Sequence, residues 1–343
     1  MMSRRAVLGG LSAAIVSGEA QTAEPIKPKA LKQGDTVGLI TPSTAVTDPE
    51  DLIMVERTVR YFGLVPKWGK NVAKRAGYLG GSIDERLEDL HAMFSDPAVK
   101  AVFCMRGGYG SGQLLRDIDY GVIKANPKIF VGYSDITAMH LAIYRMTGMV
   151  TFHGPVPMSA FTDYTQAAYR KALFEPNPLG ALTNPPETND LRPKHMLRPV
   201  RPGKAKGRLI GGNLSLIAAT MGTPYEIETR DRILFVEDID EQPYSIDRML
   251  TQLRLAGKLD QAAGIIFGEC HDCRPRDFQP SFTEGSFTTP EVVDRILRDL
   301  KVPVLSGLTI GHTPDQLTLP IGVMAELDAG LGTLTVLESA TVA

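Results

Sequence analysis

Apolar residues follow two patterns along this chain. Short, largely apolar runs, such as those at 36–40 and 129–132, predict strands that are buried on both faces. Between such runs, apolar residues recur every three or four positions, as Leu87, Leu90 and Phe94 do, and this spacing predicts amphipathic helices. Strands that alternate with helices are typical of a parallel sheet covered on both faces. The sequence therefore predicts an α/β fold.

The stretch from 175 to 206 departs from this alternation, because its seven prolines are expected to break regular structure. Strand and helix patterns resume at Gly207. A chain of 343 residues is long enough to form two hydrophobic cores. We therefore expect an N-terminal α/β domain at 28–174 and a C-terminal β/α domain at 207–343, joined by a proline-rich linker.

Residues 1–27 have a different character. Ser3-Arg4-Arg5-Ala6-Val7-Leu8 precedes an uncharged run of small and apolar residues, and Ala20 and Ala23 stand where a cleavage site would lie. This pattern resembles a twin-arginine export signal and predicts a periplasmic protein. The alternative is a disordered tail on a cytoplasmic protein. We expect no stable membrane insertion, because no run approaches the roughly 20 apolar residues that span a bilayer.

Charge and cysteine content exclude several classes of partner. The 37 basic and 39 acidic residues are interspersed, so no basic field exists to bind nucleic acid. Cys270-His271-Asp272-Cys273 resembles half of a zinc site. However, a second pair of ligands is missing, and Cys104 is far away in sequence. We therefore expect neither a metal nor another cofactor.

Polar residues cluster where predicted strands end, which is where ligands bind in an open parallel sheet. Four strands are followed by such segments: Arg106 to Gly110, Ser134-Asp135, Glu237-Asp238 and Gly311-His312. The glycines of the first segment permit close backbone approach, but it lacks the Gly-Lys-Ser/Thr ending of a phosphate-binding loop. We expect these segments to build the functional site.

Ser134 is the strongest candidate for a nucleophile among these residues. A serine in a tight junction between strand and helix exposes its Oγ, and it places the amide of Asp135 where an oxyanion would form. The alternative is that Ser134 only caps the helix, with the charge of Asp135 favouring the helix dipole. The local sequence lacks the second glycine of the usual nucleophile pattern, so it leaves both interpretations open.

A serine nucleophile needs a base, and the base needs an acid that orients it. His312 is the best placed of the six histidines, because it directly follows a predicted strand and a glycine. Glu237 is the matching acid, because it ends an apolar strand, and Asp238 and Asp240 are its rivals. Ser134, Glu237 and His312 occur in the chain order of the α/β hydrolases, although order alone decides nothing.

Five motifs together resemble a known family. They are Arg106-Gly107-Gly108-Tyr109-Gly110, Gly132-Tyr133-Ser134-Asp135, Gly211-Gly212-Asn213-Leu214-Ser215, Glu237-Asp238 with Tyr244 and Asp247-Arg248-Met249-Leu250, and Gly311-His312 with Leu319-Pro320-Ile321-Gly322. From about residue 28 to 337 the chain resembles the LD-carboxypeptidases, also called muramoyltetrapeptide carboxypeptidases. Five motifs in the right order are far more specific than any one of them.

The resemblance implies a catalytic triad at Ser134, Glu237 and His312. It also implies an oxyanion hole formed by the backbone amides of Asp135 and of the Gly107-Gly108 turn. The implied substrate is the peptidoglycan tetrapeptide, cut between the L-centre of a diamino acid and the terminal D-alanine.

The family also suggests an architecture and a set of substrate contacts. It implies an N-terminal domain similar to class I glutamine amidotransferases, a C-terminal swivelling β/α domain, and a homodimer. Arg106, Gly107 and Asn213 are our candidates for contacts with the substrate, with Arg106 beside the terminal carboxylate.

Two other functions stay open at the level of sequence. A branch of this family confers immunity to microcin C-like antibiotics by cleaving aminoacyl-nucleotide analogues, where an aromatic side chain would hold the adenine. The only tryptophan, Trp68, lies far from the triad segments in sequence, which weakens this interpretation. A non-catalytic protein that binds wall peptides is the alternative of another class.

Overall fold

The computed structural model describes residues 24–187, 189, 191–275 and 285–343. The twin-arginine motif and the expected cleavage site lie outside these residues. Ile26 forms a bridge with Met149, and Lys27 pairs with Glu338 at 2.9 Å, so these two residues contact the N-terminal and C-terminal parts of the fold. Among the described residues, no helix has the length and apolar character needed to cross a membrane.

The first half of the chain alternates strands and helices, as the apolar pattern predicts. Its elements are β1 (Thr36–Ile40), α1 (Pro49–Tyr61), β2 (Val65–Trp68), α2 (Ile83–Ser95), β3 (Val99–Cys104), α3 (Tyr120–Ala125), β4 (Ile129–Gly132), α4 (Thr137–Thr147), β5 (Thr151–His153) and α5 (Asp163–Phe174). Strands β5, β4, β3, β1 and β2 lie side by side in that order and are all parallel.

Helices cover this first sheet on both faces. Val102 of β3 packs in a core with Leu90 of α2 and Ile143 of α4. Its neighbour Phe103 points to the opposite face and packs in a core with Val59 of α1. Successive strand residues thus enter two different cores, which is why β3 and β4 read as nearly continuous apolar runs. The prediction of an α/β fold with a parallel sheet is confirmed.

The second half builds a larger sheet. Its elements are β6 (Pro178–Leu182), β7 (Arg198–Arg201), β8 (Lys204–Asn213), α6 (Leu214–Ala219), β9 (Arg232–Ile239), α7 (Pro243–Leu255), α8 (Lys258–Gln261), β10 (Gly264–His271), α9 (Thr289–Leu297), β11 (Val304–Ser306), β12 (Leu319–Ile321), β13 (Met324–Asp328) and β14 (Thr333–Ser339). The strand order is β6-β14-β13-β8-β9-β10-β11-β7, and the four strands β8 to β11 are parallel.

The proline-rich stretch contains two strands, so the expectation that its prolines break regular structure is wrong. Its strands β6 and β7 form the two opposite edges of the second sheet. Proline lacks a backbone N–H, which an edge strand can tolerate on its open side. The seven prolines therefore mark edge strands as well as the path between the sheets.

Strand β12 returns to the first sheet and pairs antiparallel with β5, with Leu319 opposite His153. The chain from β11 to β12 therefore passes from the second sheet to the first. His312 lies on this connection, so its position depends on both sheets.

Candidate active site

Ser134 lies at the turn between β4 and α4, in the left-handed region of backbone space with φ of 61°. Few residues other than glycine adopt this conformation, and when they do the site is often functional. The cap position of α4 is Ile136, and no side chain caps this helix. The helix-cap alternative for Ser134 is therefore wrong, and the turn has the shape of a nucleophile elbow.

The side chain of Asp135 fixes this elbow from the buried side. Its Oδ2 accepts hydrogen bonds from Ser43 Oγ at 2.5 Å and from the Ser111 amide at 2.8 Å. Ser111 Oγ donates to the Asp135 carbonyl at 2.6 Å. Asp135 is thus a structural anchor through its carboxylate, while its backbone runs beside Ser134.

Gly107 passes directly against the elbow. A Cβ atom at this position would stand 3.0 Å from Ser134 Cβ and 3.4 Å from the Asp135 amide nitrogen. Gly108 has φ of 102°, and a Cβ there would meet Thr44 Oγ1 at 2.3 Å. Gly107 therefore brings its backbone next to Ser134, as an oxyanion hole requires, and Gly108 continues the turn against Thr44.

Arg106 precedes these glycines and is half-buried. Burial raises the pKa of the Tyr133 phenol, and the positive charge of Arg106 acts against this rise. The Tyr133 ring lies 4.9 Å from the His312 ring, measured between centroids. Arg106, Tyr133 and His312 therefore lie at the same end of the first sheet, next to the Ser134 elbow.

Glu237 and His312 form a direct pair, with 2.7 Å between Oε2 and Nδ1. The glutamate side chain is completely buried near the end of β9, and the histidine side chain is 12% exposed. With Nδ1 donating to the carboxylate, Nε2 is left as the nitrogen that accepts a proton. Sequence reasoning placed these two residues at separate strand ends, and the structure brings them together.

Asp238, the first rival of Glu237, faces away from His312. Its carboxylate accepts hydrogen bonds from Asn213 Nδ2 at 2.9 Å and from Ser215 Oγ at 2.7 Å. Burial and the nearby charge of Glu237 raise the pKa of Asp238 to about 6. Because adjacent strand residues point to opposite faces, only one of the two acids can reach His312.

The Asn213 side chain has two partners inside the protein. Its Oδ1 accepts from the Leu216 amide at 3.2 Å as the cap of α6, and its Nδ2 donates to Asp238. The side chain is buried. Asn213 is therefore the cap of α6, and its contact with the substrate stays a prediction.

The loop that carries His312 is tied to the N-terminus of α5. Thr162 Oγ1 donates to Asp315 Oδ1 at 2.5 Å, and Thr165 Oγ1 donates to the Pro314 carbonyl at 3.1 Å. Gln316 bonds the Gly311 carbonyl through its side chain. These contacts are not predictable from the sequence, because nothing in the spacing of a helix-capping threonine indicates a partner some 150 residues away.

His195 binds this loop from the other side. Its Nδ1 lies 2.7 Å from Glu269 Oε1, and its Nε2 lies 3.1 Å from Asp315 Oδ2. Burial lowers the pKa of His195, but the hydrogen bonds and charges of Glu269 and Asp315 outweigh burial and raise it above the ordinary value. His195 thus connects the proline-rich stretch, β10 and the His312 loop.

Cys270 lies in β10 directly after Glu269, and Cys273 follows the end of this strand. The pKa of the Cys270 thiol is raised well above its ordinary value by a hydrogen bond with Cys273 and by burial. Within the parts of the chain that the structure describes, no group of three or more His, Cys, Asp or Glu side chains could hold a metal ion.

A cleft of about 670 Å³ reaches Asp135, but neither Ser134 nor His312 is among its lining residues. One wall includes Gly110, Gln113 and Asp135 from the first half of the chain, and the other includes Leu216 and Tyr225 from the second half. This volume is within the range of pockets that hold small-molecule ligands.

Comparison with known proteins adds independent evidence. Residues 37–154 match the model of the LD-carboxypeptidase N-terminal domain, and residues 206–327 match that of the LD-carboxypeptidase C-terminal domain. A probable murein peptide carboxypeptidase of Bacillus subtilis is 44% identical over 88% of this chain and 91% of its own length.

Solved structures show the same likeness. The microcin C7 self-immunity protein superposes with a TM-score of 0.82 at 28% identity, over 93% of this chain and 100% of that one. A muramoyltetrapeptide carboxypeptidase from Oxalobacter formigenes superposes with a TM-score of 0.74 at 28% identity, over 88% of this chain and 97% of its own.

Proposed function

Because this chain belongs to the LD-carboxypeptidase family, we propose that it is a serine carboxypeptidase that removes the terminal D-alanine from peptidoglycan tetrapeptides. The bond that it cleaves joins the L-centre of the diamino acid to D-alanine. This activity would serve the recycling or remodelling of murein.

The observation that carries the proposal is that four segments distant in sequence lie close together. Ser134 has the strained backbone of a nucleophile elbow, and Gly107 lies against it. The Glu237–His312 pair comes from the second half of the chain, and its imidazole contacts the Tyr133 ring next to the elbow. Such an arrangement supports Ser134, His312 and Glu237 as nucleophile, base and orienting acid.

The proposed reaction proceeds through an acyl-enzyme. Ser134 Oγ attacks the carbonyl carbon before D-alanine while His312 Nε2 takes the hydroxyl proton, and Glu237 holds the imidazole by its Nδ1–H. The amides of Asp135 and Gly108 stabilise the oxyanion. His312 then gives the proton to the leaving amine of D-alanine. Water, activated by His312, hydrolyses the ester and restores Ser134.

A carboxypeptidase must also bind the terminal carboxylate of its substrate. Arg106 and the Gly107 backbone are the proposed ligands, because a guanidinium beside open amide groups suits a carboxylate. The half-buried position of Arg106 next to Tyr133 supports this role.

The decisive experiment is mass spectrometry of the products from tetrapeptide, tripeptide and pentapeptide incubations. We expect release of D-alanine from the tetrapeptide only, and no release by Ser134→Ala. D-alanine release by Ser134→Ala would disprove the serine assignment. Tight binding of the tetrapeptide by the intact protein without any cleavage would instead favour the non-catalytic wall-peptide binding protein.

Cleavage of a microcin C-like aminoacyl-nucleotide analogue is the second candidate, supported by the likeness to the microcin C7 self-immunity protein. Trp68 lies in β2, at the edge of the first sheet opposite β12 and β5, so it is poorly placed to stack on a nucleobase beside His312. Parallel incubations with an aminoacyl sulfamoyl adenosine and with the tetrapeptide distinguish the two, and we expect the tetrapeptide to be cleaved faster.

We further propose export to the periplasm by the twin-arginine route, and a homodimeric assembly. The Arg4-Arg5 motif supports the first, and the family supports the second. Mass spectrometry of the protein from periplasmic and cytosolic fractions tests processing near Ala20 or Ala23, and only unprocessed cytosolic protein would contradict export. Analytical ultracentrifugation tests the dimer.

A further inference from the structure

His153 is a buried histidine behind the proposed triad. It ends β5 and is fully enclosed, with Gly132 of β4 on one side and Leu319 of β12 on the other. Its Nε2 lies 3.9 Å from Oε1 of Glu237, which is the carboxylate oxygen that does not bind His312. The imidazole of His153 therefore faces the unused side of the Glu237 carboxylate.

Several buried polar atoms around this ring have no hydrogen-bond partner among the described residues. They are both ring nitrogens of His153, Oε1 of Glu237, Oγ1 of Thr151 and Nδ1 of His140. Thr151 lies two residues before His153 on the same face of β5, and the His140 ring centroid lies 6.3 Å from that of His153. Buried polar groups are normally paired, so these atoms indicate a polar network around His153.

The chemistry of the groups sets the direction of the bonds in this network. Burial lowers the pKa of His153 well below its ordinary value, and the nearby His140 and His312 rings add to the effect. A neutral imidazole has one N–H donor and one acceptor nitrogen. Because an ionised carboxylate only accepts, the proton belongs on Nε2, which faces Glu237. The acceptor Nδ1 then suits a threonine hydroxyl.

We propose that His153 is a positioning residue for the triad, which donates from Nε2 to Oε1 of Glu237 directly or through one bridging water. The present separation of 3.9 Å closes to a hydrogen bond with a movement of about 1 Å, or holds a water-mediated one. The inference rests on the proposed function, because it gives the proposed triad acid its second partner. With both oxygens engaged, the buried carboxylate keeps its orientation.

The test compares His153→Leu with His153→Gln in the full chain. Leucine has a similar size but no donor, whereas the glutamine amide places an N–H near the position of Nε2. For D-alanine release from the tetrapeptide, we expect His153→Leu to lower kcat roughly ten- to hundredfold with little change in KM. His153→Gln should recover most of this loss.

The pH profile separates positioning from packing. Without its second donor, the Glu237–His312 pair binds a proton more readily, so the acidic limb of kcat/KM should move up by about one pH unit in His153→Leu. The control is His91→Leu, since His91 lies on α2 outside this network and its Nε2 accepts a hydrogen bond of 2.9 Å from the Asp119 amide. We expect this control to lose stability without a shift of the limb.

An unshifted limb in His153→Leu would overturn the inference. If His153→Leu does not fold, the comparison of His153→Gln with His153→Asn replaces it. The glutamine amide reaches the position of Nε2, whereas the asparagine amide reaches only that of Nδ1. Acidic limbs of kcat/KM at the same pH in these two variants would also overturn the inference. These outcomes leave D-alanine release by the wild type intact. Failure of the wild type to release D-alanine would instead refute the proposed function itself.

Discussion

Gly311 lies against the carboxylate of Glu237, so closely that a Cβ atom at position 311 would stand 2.0 Å from Oε2. The backbone of Gly311 also has φ of 86°, which disfavours any side chain. The contact explains why a glycine precedes His312. It lets the histidine backbone approach the acid closely enough for the 2.7 Å bond between Nδ1 and Oε2.

Gly311→Ala should therefore damage catalysis more than folding. The added methyl group must push Glu237 and His312 apart, and a misplacement of about 1 Å costs on the order of a hundredfold in rate. We expect kcat to fall by about that factor while the circular dichroism spectrum stays that of the wild type. Gly330→Ala is the control, because the nearest atoms to its Cβ lie at ordinary contact distances of 3.4 and 3.9 Å. Equal kcat values for the two variants would contradict the role of Gly311.

Much of the fold and the core of the candidate site follow from local patterns. The strand ends at Ser134, Glu237 and His312 were readable because a parallel sheet gathers the residues that follow its strands. The separation of Glu237 from Asp238 was not readable, since both end the same apolar run. Only the direction of each side chain from β9 distinguishes them, and that depends on the register of the whole sheet.

Long-range contacts were beyond sequence reasoning for a different reason. His195 lies in the proline-rich stretch, and it binds Glu269 and Asp315. Each partner comes from a different part of the chain, so no spacing predicts the group. The edge strands of this stretch were missed because proline was taken as a breaker, although edge positions tolerate it.

Asn213→Ala should reduce stability and leave substrate affinity unchanged. The variant loses the cap of α6 and one of the bonds to the buried Asp238, which together are worth about 1–3 kcal/mol. Urea unfolding measures the loss, and KM for the tetrapeptide tests the substrate role. Asn213→Ser keeps an oxygen for the cap and should recover part of the stability. A higher KM at unchanged stability would instead support the predicted contact of Asn213 with the substrate.

Thr137 joins the two halves of the chain just behind the elbow. Its Oγ1 accepts a hydrogen bond of 2.9 Å from the buried amide of Asn213. Thr137→Val leaves that amide unpaired, which should lower the free energy of unfolding by about 1–3 kcal/mol. Thr137→Ser retains the hydroxyl and serves as the control. Denaturant titration of both variants checks this, and equal midpoints would show that the bond adds nothing to stability.

His195 should make stability depend on pH in a defined direction. Its pKa is raised in the folded protein by Glu269 and Asp315, so the protonated ring favours folding. This contribution is complete below the unfolded pKa of about 6.5 and disappears as the pH rises through the higher folded value. The stability difference between wild type and His195→Gln should therefore be largest near pH 6 and shrink towards pH 9.

Urea unfolding at several pH values measures this difference. His271→Gln supplies the control, because His271 is an exposed histidine on the same sheet.

The protonation of His195 should also affect catalysis, because Asp315 belongs to the loop that carries His312. His195 holds one carboxylate oxygen of Asp315, and Thr162 holds the other. Loss of the charged imidazole frees one side of this loop, so kcat of the wild type should fall on the alkaline side while that of His195→Gln stays low and flat. A difference in stability that is constant from pH 6 to pH 9 would show that His195 packs against the loop without acting through its charge.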